Sequence, residues 1–353
     1  MNVLDFQQVI EQSKTFAKRH LLLGNGFSIA CRPDIFTYGS LFDQADFTEA
    51  AHLSGVFGAL GTFDFERVIR SLEDASRIVP IYSDQVDEIA RNISQDGEAL
   101  KTLLIQTIAN NHPAVPNEIA DKQFRSCREF LVHFLGDENG NGKVYSLNYD
   151  LLLYWALMHD ESDEPMQMST NDGFGREEDT EPEFVTWMGE SAAHGQRVHY
   201  LHGALHLFDG GVELQKYTWV NTGIPLLEQA RDAMDQGKFP LFVAEGESKQ
   251  KLKKIKHSAY LYHSYKSFST QMEQRNDALV VFGHSFAEND AHILRKISRG
   301  RVPQIYVGLY GDPEDGQNRA VRKAAQQLCE DRDERNPLGV EFFDAESAKV
   351  WSE

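Results

Sequence analysis

Four short stretches carry residue types that could do chemistry: Gly-Asn-Gly-Phe-Ser at 24–28, Asn-Tyr-Asp at 148–150, Leu-His-Gly at 201–203 and Gly-His-Ser-Phe-Ala-Glu-Asn-Asp at 283–290. Two glycines one residue apart at the end of an apolar run can bring backbone close to a phosphate, because no Cβ stands in the way. The first stretch lacks the third glycine of a full Gly-x-Gly-x-x-Gly fingerprint, with Ile29 in its place, so a packing turn and a ligand contact both stay open. The other stretches also have structural readings. Asn148 could cap a helix starting near Asp150, His202 could be a satisfied core histidine, and Ser285 or Asp290 could cap the helix ENDAHILRKI. Four such coincidences at four strand ends are explained better by one shared site than by four unrelated caps.

The elements that must position these residues are read from the apolar runs. Strand-length runs occur at LLL (21–23), KVYSL (143–147), RVHYL (197–201), ALVVF (278–282), QIYVGL (304–309) and VEFF (340–343). Most are followed by helix-like text, the β-then-α rhythm of an α/β fold with a mainly parallel sheet flanked by helices. Ligands of such sheets bind at the carboxyl ends of the strands, and each chemistry-bearing stretch directly follows one of these runs.

Between the first two strands lies a large insertion, 33–135. Its segments FERVIRSLEDASRI and QFRSCREFLVHFL repeat apolar residues at three and four spacing and predict helices. Segment 161–196 is acidic and weakly patterned, and reads as a surface excursion. A second insertion, 209–274, reads as a hairpin (HLFDGGVELQKY), a short strand (FPLFV) and a basic helix (KQKLKKIKHS and onward). No repeat or linker divides the chain, so 1–353 reads as one domain carrying both insertions.

Composition limits the function. Fifty-four acidic against 35 basic residues give a formal charge of −19, which argues against a nucleic-acid backbone as the main partner. Cys31, Cys127 and Cys329 are far apart and form no Cys-x-x-Cys pair, so neither a zinc ribbon nor a disulfide framework is indicated. A cytoplasmic setting is expected. The first residues read as an amphipathic helix rather than a signal peptide, and no apolar run is long enough for a membrane span. No metal is expected: His202 and His206 have a helical ligand spacing in strand-like text. Asp64 and Glu66 read as an acidic helix start facing solvent, with a role in covering a pocket left open. The charged helix KQKLKKIKHS reads as a solvated face.

The order Gly-x-Gly-x-Ser, Asn-x-Asp, His-Gly and Gly-x-Ser, each after a strand, resembles the sirtuin superfamily, a Rossmann-like fold that binds NAD and breaks its nicotinamide–ribose bond. The likeness is closer to zinc-less bacterial sirtuin-like proteins with Asn-Tyr-Asp and Leu-His-Gly, many of which resemble NAD hydrolases of anti-phage defence. It extends to a less characterised bacterial family sharing FVAEGES, KQKLKKI and FGHSFAENDAHI. The resemblance implies that Gly24, Gly26 and Ser28, with Asn25 and Phe27 between them, meet the NAD diphosphate. Asn148 and Asp150 would lie beside the nicotinamide ribose, with His202, followed by Gly203, as general base. Gly283, His284 and Ser285 would face the adenosine side, with Asp290 on a ribose hydroxyl.

The implied activity is an NAD glycohydrolase giving nicotinamide and ADP-ribose, with NAD as substrate. Nicotinamide leaves neutral from a cationic ring, so no general acid is needed. Asn148 would position water or ribose hydroxyls, Asp150 would stabilise the developing cation, and His202 would take a proton. The four-cysteine zinc module of the protein deacylases is missing, because no cysteine lies between Cys127 and Cys329, so peptide deacylation is not expected. Such an activity implies gating by homo-oligomerisation, a partner subunit or a nucleotide signal. An NAD or ADP-ribose sensor without turnover and an ADP-ribosyltransferase are the alternatives.

Overall fold

The six apolar runs become the six strands of one parallel sheet. The computed structural model describes residues 3–82, 86–136, 141–159, 166–175, 184–189, 195–210, 214–218 and 223–352. In chain order the strands are β1 (Lys18–Leu23), β2 (Val144–Ser146), β3 (Phe174–Gly175), β4 (Phe184–Trp187), β5 (Val198–Tyr200), β6 (Gly203–Asp209), β7 (Leu214–Tyr217), β8 (Pro240–Phe242), β9 (Asp277–Phe282), β10 (Gln304–Leu309) and β11 (Gly339–Asp344).

The parallel sheet has the order β11-β10-β9-β1-β2-β5. Every residue of β9 and all but the first of β1 are buried, as befits aliphatic strands covered on both faces. Leu21 pairs with Val144 on one side and Val280 on the other. The chain builds outward from β1 through β2 to β5, then returns to start again at β9 on the other side of β1. This is the Rossmann-like order, and the reversal between β1 and β9 opens a crevice at their carboxyl ends. At the β11 edge, Leu4 N donates to Phe342 O and Asp344 N to Leu4 O, both at 2.9 Å, which covers an otherwise exposed strand edge. The expected amphipathic helix follows as Phe6–Ser13, held by a capping box between Asp5 and Gln8.

The insertion at 33–135 is helical as expected. Its two longest helices, Phe65–Tyr82 and Asp87–Asn111, pack against each other, with Phe65, Val68, Ile69 and Leu72 forming the buried stripe of the first. Segment 161–196, read as a surface excursion, also contains regular structure. Its described residues hold β3 and β4, which join a second, antiparallel sheet in the order β3-β4-β7-β6-β8; its remaining residues lie outside those described. Strands of two and four half-buried residues leave no run from which a period can be read. The expected hairpin is β6 with β7, paired through Leu207 and Lys216, its tip lying outside the described residues, and FPLFV supplies β8. No helix among the described residues is long and apolar enough to cross a membrane.

Candidate functional site

The turns after β1 and β9 pack backbone on backbone. Gly26 N donates to Gly283 O at 2.8 Å. A Cβ on Gly26 would stand 2.5 Å from Gly283 Cα, and one on Gly283 would stand 2.6 Å from Gly26 Cα. Contact between the two turns therefore requires both glycines, whatever the ligand. The amides of Gly24, Phe27 and Ser28 donate to Phe282 O, Gly24 O and Asn25 O, at 3.0 Å each. These donors are already engaged within the chain, so a phosphate here would have to meet other groups.

A cavity of about 420 Å³ opens where these turns meet, within the usual range for small-molecule sites. Of the residues singled out from the sequence, Gly24, Asn25, Gly26, Asn148, Asp150, His202, Gly283, His284, Ser285 and Asp290 line it. Three do not. Phe27 is buried with its ring 5.4 Å from that of Trp351. Ser28 is buried behind the wall, bonded to Asn148 and Asp150. Gly203 begins β6 at φ 82, where a Cβ would clash with the Leu241 carbonyl oxygen, so it serves the packing of β6 on β8.

Asn148, Ser28 and Asp150 form a chain of hydrogen bonds. Asn148 Nδ2 donates to Gly24 O at 3.1 Å and to Ser28 Oγ at 2.9 Å, and Ser28 Oγ donates to Asp150 Oδ2 at 2.5 Å. Asp150 Oδ1 accepts from Leu152 N at 2.9 Å, in the first turn of helix Leu152–Met158. Asn148 therefore makes no helix cap, and the side chain that holds an amide of this first turn is Asp150. With its amide nitrogen fixed, Asn148 offers a ligand its side-chain oxygen. Burial raises the Asp150 carboxyl against the opposing bond from Ser28; both its oxygens serve to orient Asn148 and the chain beside it.

His202 belongs to a buried ionic cluster. Lys251, on helix Ser248–His257, places Nζ 2.7 Å from Glu66 Oε2 and 3.0 Å from Asp290 Oδ1. His284 Nδ1 accepts from Phe286 N at 3.0 Å, so its Nε2 carries the hydrogen that goes to Asp290 Oδ2 at 3.1 Å. Phe286 has φ 59 in this turn, a strained value for a bulky residue. His202 Nε2 lies 3.2 Å from His292 Nε2 and 3.8 Å from Asp290 Oδ1, while Ser248 Oγ lies 3.2 Å from His292 Nδ1. Burial, helped by Lys251, holds His202 well below its usual value and brings His292 to about 4, so both rings are neutral. Asp290 resists the upward push of burial because Lys251 and the His284 bond hold it well below the carboxylate range.

Two readings from the sequence are corrected here. Glu66 does not face solvent: it lines the cavity, with Oε1 3.0 Å from the Tyr149 hydroxyl, while Asp64 does cap its helix, accepting from Arg67 N at 3.2 Å. Lys251 is not part of a solvated face, because its side chain is only 1% exposed. Tyr149, His292 and Asn289 complete the cluster, and the first and last stand inside the stretches already singled out. His202, Asp290 and His292 bring possible metal donors within 4.8 Å of one another, yet the Lys251 ammonium already supplies positive charge at the Asp290 oxygen. His206 is apart from this trio, buried in β6 between the rings of Tyr154 and Tyr200. On the far wall, Tyr310 at the end of β10 is 74% exposed and lines the cavity with Gln317 and Asn318.

No curated protein matches the chain. Residues 21–351 match a protein family over nearly the whole length, and the chain belongs to that family, described as Domain of unknown function (DUF4917).

Proposed function

We propose that this chain is an NAD glycohydrolase. The observation that carries the reading is the convergence of Asn148, after β2, and His202, after β5, on one cavity at the β1/β9 reversal of the parallel sheet, the place where such sheets hold dinucleotides. In this reading NAD lies across the crevice, its nicotinamide ribose toward Asn148 and His202 and its adenosine toward β10, where the exposed Tyr310 ring offers a stacking face. Gly24 and Gly26 let the two turns close on each other to form the floor of the crevice, and the neutral side chains of Ser285 and Gln317 meet the diphosphate in place of the engaged turn amides.

The bond between the ribose carbon and the ring nitrogen breaks, and its electron pair neutralises the pyridinium. Asn148 holds the ribose or the incoming water, and His202 takes the proton as water adds to the ribose carbon, a contribution of about two to four powers of ten. Asp150 acts through Ser28 as a positioning residue. Chromatography of NAD incubated with the purified protein tests the reading directly, with nicotinamide and ADP-ribose appearing in equal amounts.

A second reading has one observation in its favour. The His202 Nε2 turns to His292 within the buried cluster, and burial makes the ring a weak base. A sensor that binds NAD or ADP-ribose without cleaving it would need no more. Tight binding of unchanged NAD would select this reading.

A further inference from the structure

The wall contributed by the helical insertion is acidic. Its Asp64 and Glu66 line the cavity together with Asp150 and Asp290 from the strand ends, and among the described residues no lysine or arginine lines it. The ammonium of Lys251 is buried behind Glu66 and Asp290 and bonded to both. One cation therefore serves two carboxyl groups, with Asp64 as a third nearby.

Counting hydrogens bears on how this excess charge is balanced. The Tyr149 hydroxyl has one hydrogen and lies 2.6 Å from Val243 O and 3.0 Å from Glu66 Oε1. A backbone carbonyl can only accept, so the hydrogen goes to Val243 O at the shorter distance. The contact with Glu66 is then satisfied when Oε1 carries a proton and donates it to the Tyr149 oxygen. Glu66 Oε2 meanwhile accepts from Lys251 and from Asn289 Nδ2. The groups facing Glu66 are thus Lys251, Tyr149, Asn289, Asp64 and Asp290. Burial raises the Glu66 carboxyl, Lys251 opposes this, and Asp290 and Asp64 add to the rise. Of two carboxyls sharing one cation, Asp290 is thus held below and Glu66 above the usual carboxylate value.

We propose that Glu66 and Asp64 form the subsite for a cationic ring of the ligand, and that the arrival of this ring expels the proton Glu66 holds in the unliganded chain. This rests on the nucleotide reading above and names the part of the nucleotide that the insertion recognises. The only bond broken is the Glu66 O–H, and its proton passes to the buffer. The carboxylate left behind faces the ring cation before cleavage and loses that partner once the ring has become neutral nicotinamide.

Calorimetry in buffers of low and high ionisation enthalpy, phosphate and Tris at pH 7, counts the protons released. The probes are carbocyclic NAD, which keeps the cationic ring but resists cleavage, and ADP-ribose, which has no such ring. Wild-type protein should release protons, at most one per site, on binding carbocyclic NAD and none on binding ADP-ribose. Glu66→Gln, shown to be folded by its circular dichroism and its urea unfolding midpoint, should release no proton with carbocyclic NAD. Binding of carbocyclic NAD by the wild type without proton release overturns the inference whatever the variant does, and so does equal release by Glu66→Gln. If the wild type binds neither probe, the nucleotide reading itself falls and takes the subsite with it.

Discussion

Gly26 and Gly283 stand with their backbones in contact, joined by a 2.8 Å hydrogen bond from Gly26 N to Gly283 O. Through this contact the two halves of the parallel sheet meet at the mouth of the cavity. Gly283 also has φ 70, so alanine there meets both a steric clash and a left-handed backbone. Gly283→Ala should lower stability by about 2–4 kcal/mol, read from urea unfolding midpoints. A Cβ added at Gly55, within helix Ala51–Leu60, would meet nothing within 4 Å, and Gly55→Ala should stabilise by about 0.5–1 kcal/mol.

Lys251, itself buried, holds two carboxyl groups at the cavity wall that are only 18% and 13% exposed. Lys251→Met keeps most of the side chain's length and removes the charge, leaving the largely buried Asp290 without its cation. The expected loss is about 3–5 kcal/mol, and the same denaturation experiment measures it. A change within about 1 kcal/mol would mean that the cluster is solvated in solution.

The parallel sheet was legible because its strands are buried on both faces and so appear as unbroken aliphatic runs, ALVVF above all. The second sheet was not, since β3 and β4 are short and half-buried. The cavity wall from Asn148 to Asp290 was legible because each part ends a strand. Lys251 was hidden by composition: in KQKLKKIKHS every lysine looks alike, and only its place four residues before the buried Ile255 puts it on the inner face. Glu66 was hidden by position, because an acid in the first turn of a helix has a sufficient local reason to be there. Neither partner reveals the other in sequence, as 185 residues separate them.

Three histidines should stay neutral in mildly acidic solution. His112, His133 and His292 are each brought to about 4, chiefly by burial. The unfolded chain protonates such groups near 6.5, so each one costs stability as pH falls from about 6.5 toward 4. Raised carboxyls at Glu66, Asp64 and Asp150 act the opposite way as pH falls, so a single substitution isolates the sign. His133→Gln should weaken the acid-side loss of stability in that window, and an unchanged slope would contradict the burial argument.

Ser28 touches no ligand in this account and yet should matter for rate. Its hydroxyl accepts from Asn148 Nδ2 and donates to Asp150. Ser28→Ala lets the Asn148 amide turn, and kcat for nicotinamide release should fall about ten- to a hundredfold with KM little changed. Loss of NAD binding instead of turnover would show that Ser28 supports the fold of the turn and not the orientation of the amide.

The most direct test of the central claim is nicotinamide release from NAD by the wild-type protein, measured beside Asn148→Ala and His202→Ala with ADP-ribose binding as the control for folding. Release by the wild type is expected, with a loss of at least about a hundredfold in either variant while ADP-ribose is still bound. Wild-type protein that binds ADP-ribose but releases no nicotinamide would contradict it.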